Sequence, residues 1–163
     1  MADVSEEDKP TVVELYSDMN VSVKQYDHWM IPSGAKNPAE DLTGKMAEVD
    51  MEQMLLWNPD IIYIGNHSDL MPSDLLENKQ TGRDWSVINA VKNHQVYKIP
   101  IGAYRWDPAG VETPLMVKWA ARSSIRIFSR YGHEEEVKEF FEFVYQYELT
   151  DEQVSEILDN RQE

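Results

Sequence analysis

Residues 104–107 read Tyr-Arg-Trp-Asp, four consecutive side chains that between them stack, carry a fixed charge and accept hydrogen bonds. A plain connector favours Ser, Asn, Gly and Lys instead. Two aromatic faces on either side of a guanidinium suit recognition of a flat or anionic molecule, since arginine offers several donors and rings offer stacking area. A second cluster, Tyr26-Asp27-His28-Trp29, lies in a polar stretch ahead of the turn residues Pro32, Gly34 and Pro38. His67 follows the apolar run Ile61–Ile64, where a residue at the end of a buried strand faces a ligand crevice. Tyr104, Arg105, Trp106, Trp29 and His67 are therefore the candidate ligand-binding residues.

Bond-making chemistry finds little support. The chain has neither a GxGxxG nor a GxxxxGK[ST] phosphate loop, and no G-x-S-x-G elbow. Its four histidines show no HExxH spacing, and with no cysteine there is no thiol nucleophile, thiolate metal site or disulfide. A net charge of −15 argues against nucleic acid and an anionic membrane as partners, because both require a basic footprint. A site of Tyr, Trp and Arg with few titratable neighbours reads as binding, not turnover. The chain is expected not to be an enzyme.

The elements that must position these residues follow in order. Residues 1–10 are acidic, end in Pro10 and read as a flexible leader; nothing in them resembles a signal peptide. A single domain is expected over 11–160. Thr11–Tyr16 is β-branched and aromatic, a first strand. Asp50 caps a short helix carrying Met51, Met54, Leu55 and Trp57, and Asn58-Pro59-Asp60 breaks it. Ile61–Ile64 is continuously apolar, as in a strand buried on both faces. Two short helices are expected over Asp69–Glu77 and Asp84–Val91, then a strand from Val96 to Ile99. A long helix follows over Glu112–Tyr131, with Met116, Trp119, Ala120, Ser123 and Ile127 inward. Lys118, Arg122, Arg126 and Arg130 recur on another face and read as a solvated row paired with nearby Glu. Gly132 ends that helix, His133–Tyr147 forms the next, and Thr150-Asp151-Glu152 opens a last one. Strand–helix alternation of this kind implies an α/β, three-layer αβα sandwich with a mainly parallel sheet of four or so strands.

The same features in this order also resemble a known family. Trp57-Asn58-Pro59-Asp60-Ile61-Ile62, Trp85 with Ala90-Val91-Lys92-Asn93, Val96-Tyr97-Lys98-Ile99-Pro100, Trp106-Asp107 with Glu112, and Phe140-Phe141 before Leu149-Thr150-Asp151-Glu152 resemble the periplasmic-type solute-binding proteins of ABC importers for ferric siderophores, haem and cobalamin. The resemblance runs from Val12 to Leu158 and matches only the carboxyl-terminal lobe of that two-lobed fold. It implies a small-molecule metal chelate as ligand, an ABC permease and an amino-terminal lobe as partners, and an extracytoplasmic place, periplasmic or lipid-anchored, for the full-length receptor. No resident cofactor is implied, because the chelator already holds the metal. For haem, Tyr26, His28 or His67 would be the axial ligand. Glu112 would correspond to an acidic permease-docking residue. An alternative is a stand-alone module that forms a homodimer through a half-cleft rich in Trp and Tyr.

Overall fold

Val12, Glu14 and Tyr16 alternate with Val13 and Leu15 along the first strand, so successive side chains face opposite sides of a sheet. The computed structural model describes residues 7–24, 26–124 and 132–159. In chain order its elements are β1 (Val12–Ser17), β2 (Asn20–Ser22), α1 (Asp27–Met30), β3 (Met46–Glu48), α2 (Met51–Trp57), β4 (Ile61–Ile64), α3 (Pro72–Leu76), a 3-10 turn at Trp85–Val87, and α4 (Asn89–Lys92). They continue with β5 (Val96–Lys98), α5 (Thr113–Ser124), α6 (His133–Tyr145) and α7 (Asp151–Asp159). Met1 to Glu6 of the expected leader lie outside the described residues, as do Arg126, Ile127, Arg130 and Tyr131 of the expected long helix.

The α/β class stands, and the sheet is five-stranded and mixed, ordered β3-β2-β1-β4-β5. β1, β4 and β5 run parallel, whereas β2 is antiparallel to both β1 and β3. The hairpin between β1 and β2 turns through Met19 at φ 52°, and β2 and β3 are three residues each. So short a strand leaves no period to detect, which is why neither is visible in the sequence.

Helices cover both faces. Val12, Ile61 and Tyr63 pack with Trp29 of α1, Met116 and Trp119 of α5, Phe141 of α6 and Val154 of α7. Val13, Leu15, Ile62 and Ile64 pack with Met54 of α2, Leu75 of α3, Trp85 and Val91. Burying a side chain of this size contributes roughly 1.5–3 kcal/mol, so the two layers are what hold the domain. Asp50 caps α2 as the sequence predicts, its carboxylate accepting from the Gln53 backbone N–H at 2.8 Å. Lys118 and Arg122 pair with Glu136 of α6 at 3.5 and 2.9 Å, so the described part of the basic row is a solvated, paired face.

The carboxyl ends of β1, β4 and β5 share one edge. The chain leaves β1 toward β2 and leaves β4 in the opposite direction, toward β5. That reversal opens a crevice between β1 and β4, where ligands of open α/β sheets bind. Gly65 ends β4 there, and a Cβ on it would lie 2.7 Å from Glu14 Oε1 and 3.3 Å from the Leu15 carbonyl oxygen. Gly65→Ala is therefore expected to cost about 1–3 kcal/mol, read as a lower urea midpoint with an unchanged slope.

Candidate functional site

Three segments converge at the crevice. The end of β1 supplies Tyr16, the turn after β4 supplies Asn66 and His67, and the loop between β5 and α5 supplies Tyr104 to Asp107. His67 lies against Tyr16, with ring centroids 5.1 Å apart. Arg105 contacts His67 Nε2 through its guanidinium, so that nitrogen is the acceptor. The Arg105 guanidinium carbon also sits 5.7 Å from the Tyr104 ring centroid, within cation–π range. Lys98 holds the His67 turn from below, its ammonium donating to the carbonyls of Ser68 and Leu70 at 2.5 and 3.0 Å. Burial pushes the Lys98 ammonium below its ordinary value, with Asp69 opposing.

Asp107 ties these pieces together. Its side chain is wholly buried and lies 3.8 Å from Arg105 Nε. Asn66 Nδ2 donates to it at 3.3 Å and the Tyr26 hydroxyl at 3.5 Å, while Trp29 Nε1 donates to its backbone carbonyl at 3.1 Å. One residue thus links β4, α1 and the β5–α5 loop, and it anchors the guanidinium by charge.

The expected binding residues divide into an outward and an inward group. Tyr104 is 59% exposed, Arg105 is half-buried, and His67 is exposed. These three come together at the crevice. Trp106 and Trp29 are both at 0% exposure, so neither offers a ring face to a ligand. That corrects their expected stacking role: their indole N–H groups are committed to Glu112 and to the Asp107 carbonyl, and their rings fill the core. Tyr26 is buried against Asp107 as well, which removes its hydroxyl as an axial ligand for haem.

Glu112 also differs from expectation. It is only 3% exposed and accepts from Trp106 Nε1 at 2.5 Å, the Tyr145 hydroxyl at 2.8 Å and the Tyr104 backbone N–H at 3.2 Å. A carboxylate enclosed by three donors braces the loop against α6 and is not presented to a permease. The Tyr145 hydroxyl is pushed up to about 12 by burial and by this carboxylate. Gly102 is required at its position because a Cβ there would overlap Glu112.

Tyr16, Asn66 and Asp107 belong to the site although residue-type reasoning did not select them. Tyr16 was legible as the last residue of a predicted strand. Asp107 was legible only as the acceptor of the 104–107 cluster and Asn66 carried no signal beyond its loop, because only the packed structure shows what they touch.

Residues 7–101, more than half of the 163, match the family described as Periplasmic binding protein. The chain belongs to that family. Among solved structures it resembles a periplasmic solute-binding protein from Veillonella parvula at 38% identity and a TM-score of 0.85, covering 96% of this chain and 48% of that one. It also resembles Helicobacter pylori CeuE, solved with Ni(II) bound, at 27% identity and a TM-score of 0.70, over 92% of this chain and 48% of that one. The fold alone is shared with the Haemophilus influenzae molybdate-binding protein MolA of an ABC transporter, at 22% identity, a TM-score of 0.69, and 91% and 45% coverage. The chain thus spans about half the length of the structures it matches. No curated protein matches it. No helix of the described residues is long and apolar enough to cross a membrane.

The division between outward and inward groups has a measurable consequence. Trp106→Ala should destabilise the domain by about 3–5 kcal/mol, the cost of emptying a large buried site. Tyr104→Ala should stay within about 0.5 kcal/mol, as for an exposed side chain. Urea unfolding of the two variants checks both.

Proposed function

We propose that this chain is the carboxyl-terminal ligand lobe of a solute-binding receptor for an ABC importer, and that its ligand is a metal chelate, most simply a ferric siderophore. The observation that carries this reading is the outward trio at the crevice of a periplasmic-binding-protein lobe: Arg105 backed by Asp107, stacked on Tyr104 and next to His67. Such a surface matches an anionic complex with a flat apolar periphery. Among the described residues no three His, Asp or Glu side chains gather as a metal-ligand set, which favours a metal that arrives already chelated over a bare cation. The Ni(II) of the Helicobacter protein and the molybdate of the Haemophilus protein mark the competing ligand classes. Haem with His67 as axial ligand is the variant within the chelate class, and cobalamin is another.

The role is binding without turnover, in an extracytoplasmic receptor whose second lobe closes the crevice and whose permease accepts the ligand. Of the half-cleft rich in Trp and Tyr that the alternative, self-association, would use, Trp29 and Trp106 are enclosed and Tyr104 stays exposed. Half a cleft leaves much of a ligand in water while the cost of association is unchanged. Affinity of the lone lobe should therefore fall at about micromolar to millimolar. Tryptophan-fluorescence titration with an anionic ferric siderophore, haem, molybdate and nickel chloride tests the reading. The ferric chelate should bind in that range, and Arg105→Ala should weaken it about tenfold, the loss of roughly 1.4 kcal/mol from a charge-assisted contact. Tyr104→Ala should weaken it a few-fold. Equal affinity of parent and Arg105→Ala, or saturation by molybdate or nickel alone, would remove the chelate assignment.

A further inference from the structure

α6 runs out of core before it ends. Its inward positions His133, Val137 and Phe141 are buried, but every residue from Glu142 to Glu148 is exposed. Four of those residues are large and apolar: Phe143, Val144, Tyr145 and Tyr147, with Phe143 at 88% exposure. Phe143 lies roughly half a turn round the helix from Phe141, so it faces away from the core that α6 covers. Single exposed apolar residues are ordinary, whereas a contiguous aromatic patch marks a contact surface.

The patch is held in shape, and it reaches the crevice. Gln146 ends α6 in the left-handed conformation at φ 54°. The Tyr145 hydroxyl donates to Glu112 Oε1 at 2.8 Å, and Gln153 Nε2 donates to the Tyr147 hydroxyl at 3.1 Å, so both rings are tethered while exposed. Glu112 Oε1 also accepts from the Tyr104 backbone N–H at 3.2 Å, which joins the end of α6 to the crevice rim, where Tyr104 and Val111 are exposed as well. Tethered aromatic side chains dock at a low ordering cost and are the usual anchors of protein interfaces.

Charge and length narrow what sits there. Residues 139–152 hold Glu139, Glu142, Glu148, Asp151 and Glu152 and no basic residue, and the Lys138 ammonium beside them is engaged by Asp151. A symmetric contact with a second copy would set these acids against one another in a chain of net charge −15, and an anionic membrane would repel them. The fitting partner is a protein surface with apolar sockets framed by Lys or Arg. The Veillonella and Helicobacter structures match 96% and 92% of this chain, yet 48% of each is covered, so about half of each protein lies beyond the match. The rim that α6 adjoins is the side on which that other half must sit to close the crevice.

We propose that the exposed end of α6, with Val111 and Tyr104 beside it, is the docking face for the second lobe of the same receptor, whose facing surface supplies apolar sockets framed by Lys or Arg. This rests on the two-lobed receptor reading and not on the ligand. Its test uses no chelate, so the docking face and the chelate assignment fail separately.

The experiment is hydroxyl-radical footprinting, read by mass spectrometry, of this chain alone and of a fusion in which it replaces the matching half of the Veillonella protein. Labelling of Phe143, Tyr145 and Tyr147 should fall several-fold in the fusion, whereas the exposed Leu56 of α2 should label equally in both. Phe143→Asp should leave the urea midpoint of the lone chain unchanged, because the side chain is exposed, and in the fusion it should restore labelling of the two tyrosines. Added sodium chloride should restore it in part, since salt screens the charges that frame the contact. If the fusion fails to fold, amide hydrogen exchange on the intact Veillonella protein decides: the helix end that overlays residues 142–148 should exchange several-fold more slowly than in this chain alone. Equal labelling of the lone chain and the fusion, or equal exchange, would overturn the proposal. So would a dimer of the lone chain in sedimentation that protects the same residues, since a second copy would then be the occupant.

Discussion

A charge taken fully out of water must be compensated by its neighbours, and Asp107 shows how that constraint organises this domain. Its carboxylate is enclosed, so Asn66, Tyr26 and Arg105 have to come to it, from the end of β4, from α1 and from its own loop. Removing one partner of such a buried pair is costly because the remaining charge stays uncompensated. The loop geometry and the direction of Arg105 are therefore consequences of one buried group. Glu112 performs the matching task immediately before α5. It gathers the Trp106 indole, the Tyr104 backbone and the Tyr145 hydroxyl, which fixes the far side of the same loop to α6.

These two carboxylates explain why adjacent residues of one loop have opposite fates. Trp106 donates inward to Glu112 and meets His133 edge-on, with ring centroids 6.4 Å apart. Tyr104 is held by its backbone alone at that point, and its ring remains outside under the Arg105 guanidinium. The proposed binding surface of Tyr104, Arg105 and His67 is thus supported from below by the buried rings of Trp29 and Trp106. Preorganisation of this kind lowers the ordering cost of binding, which matters most for a lobe that meets only one side of its ligand.

Much of the scaffold was legible in the sequence for local reasons. Ile61–Ile64 announces a strand covered on both faces, Asp50 announces a helix start, and Asn58 ends that helix in a left-handed conformation at φ 40°. The loop at 104–107 stood out as a candidate site because its composition is unlike a connector. What could not be read was which way each of its side chains turns, since that depends on partners distant in sequence: Trp29 is 78 residues from the Asp107 carbonyl it bonds. The three-residue strands β2 and β3 escaped because their pairing comes from a hairpin register and not from a hydrophobic period. That Glu14, a charged residue in the strand Thr11–Tyr16, is wholly enclosed was likewise not read from the sequence, because its burial depends on the neighbouring strands and loops.

In the proposed receptor lobe, Tyr16, His67, Tyr104 and Arg105 form the contact surface while Trp29 and Trp106 support it from within. Chemical-shift mapping with the diamagnetic gallium complex of an anionic siderophore tests this directly. The largest perturbations should cluster on those four residues, with the Trp29 and Trp106 indole N–H signals little changed. Perturbations confined instead to the exposed aromatics of α6 and the turn after it, such as Phe143 at 88% exposure and Tyr147, with the crevice unaffected, would contradict it.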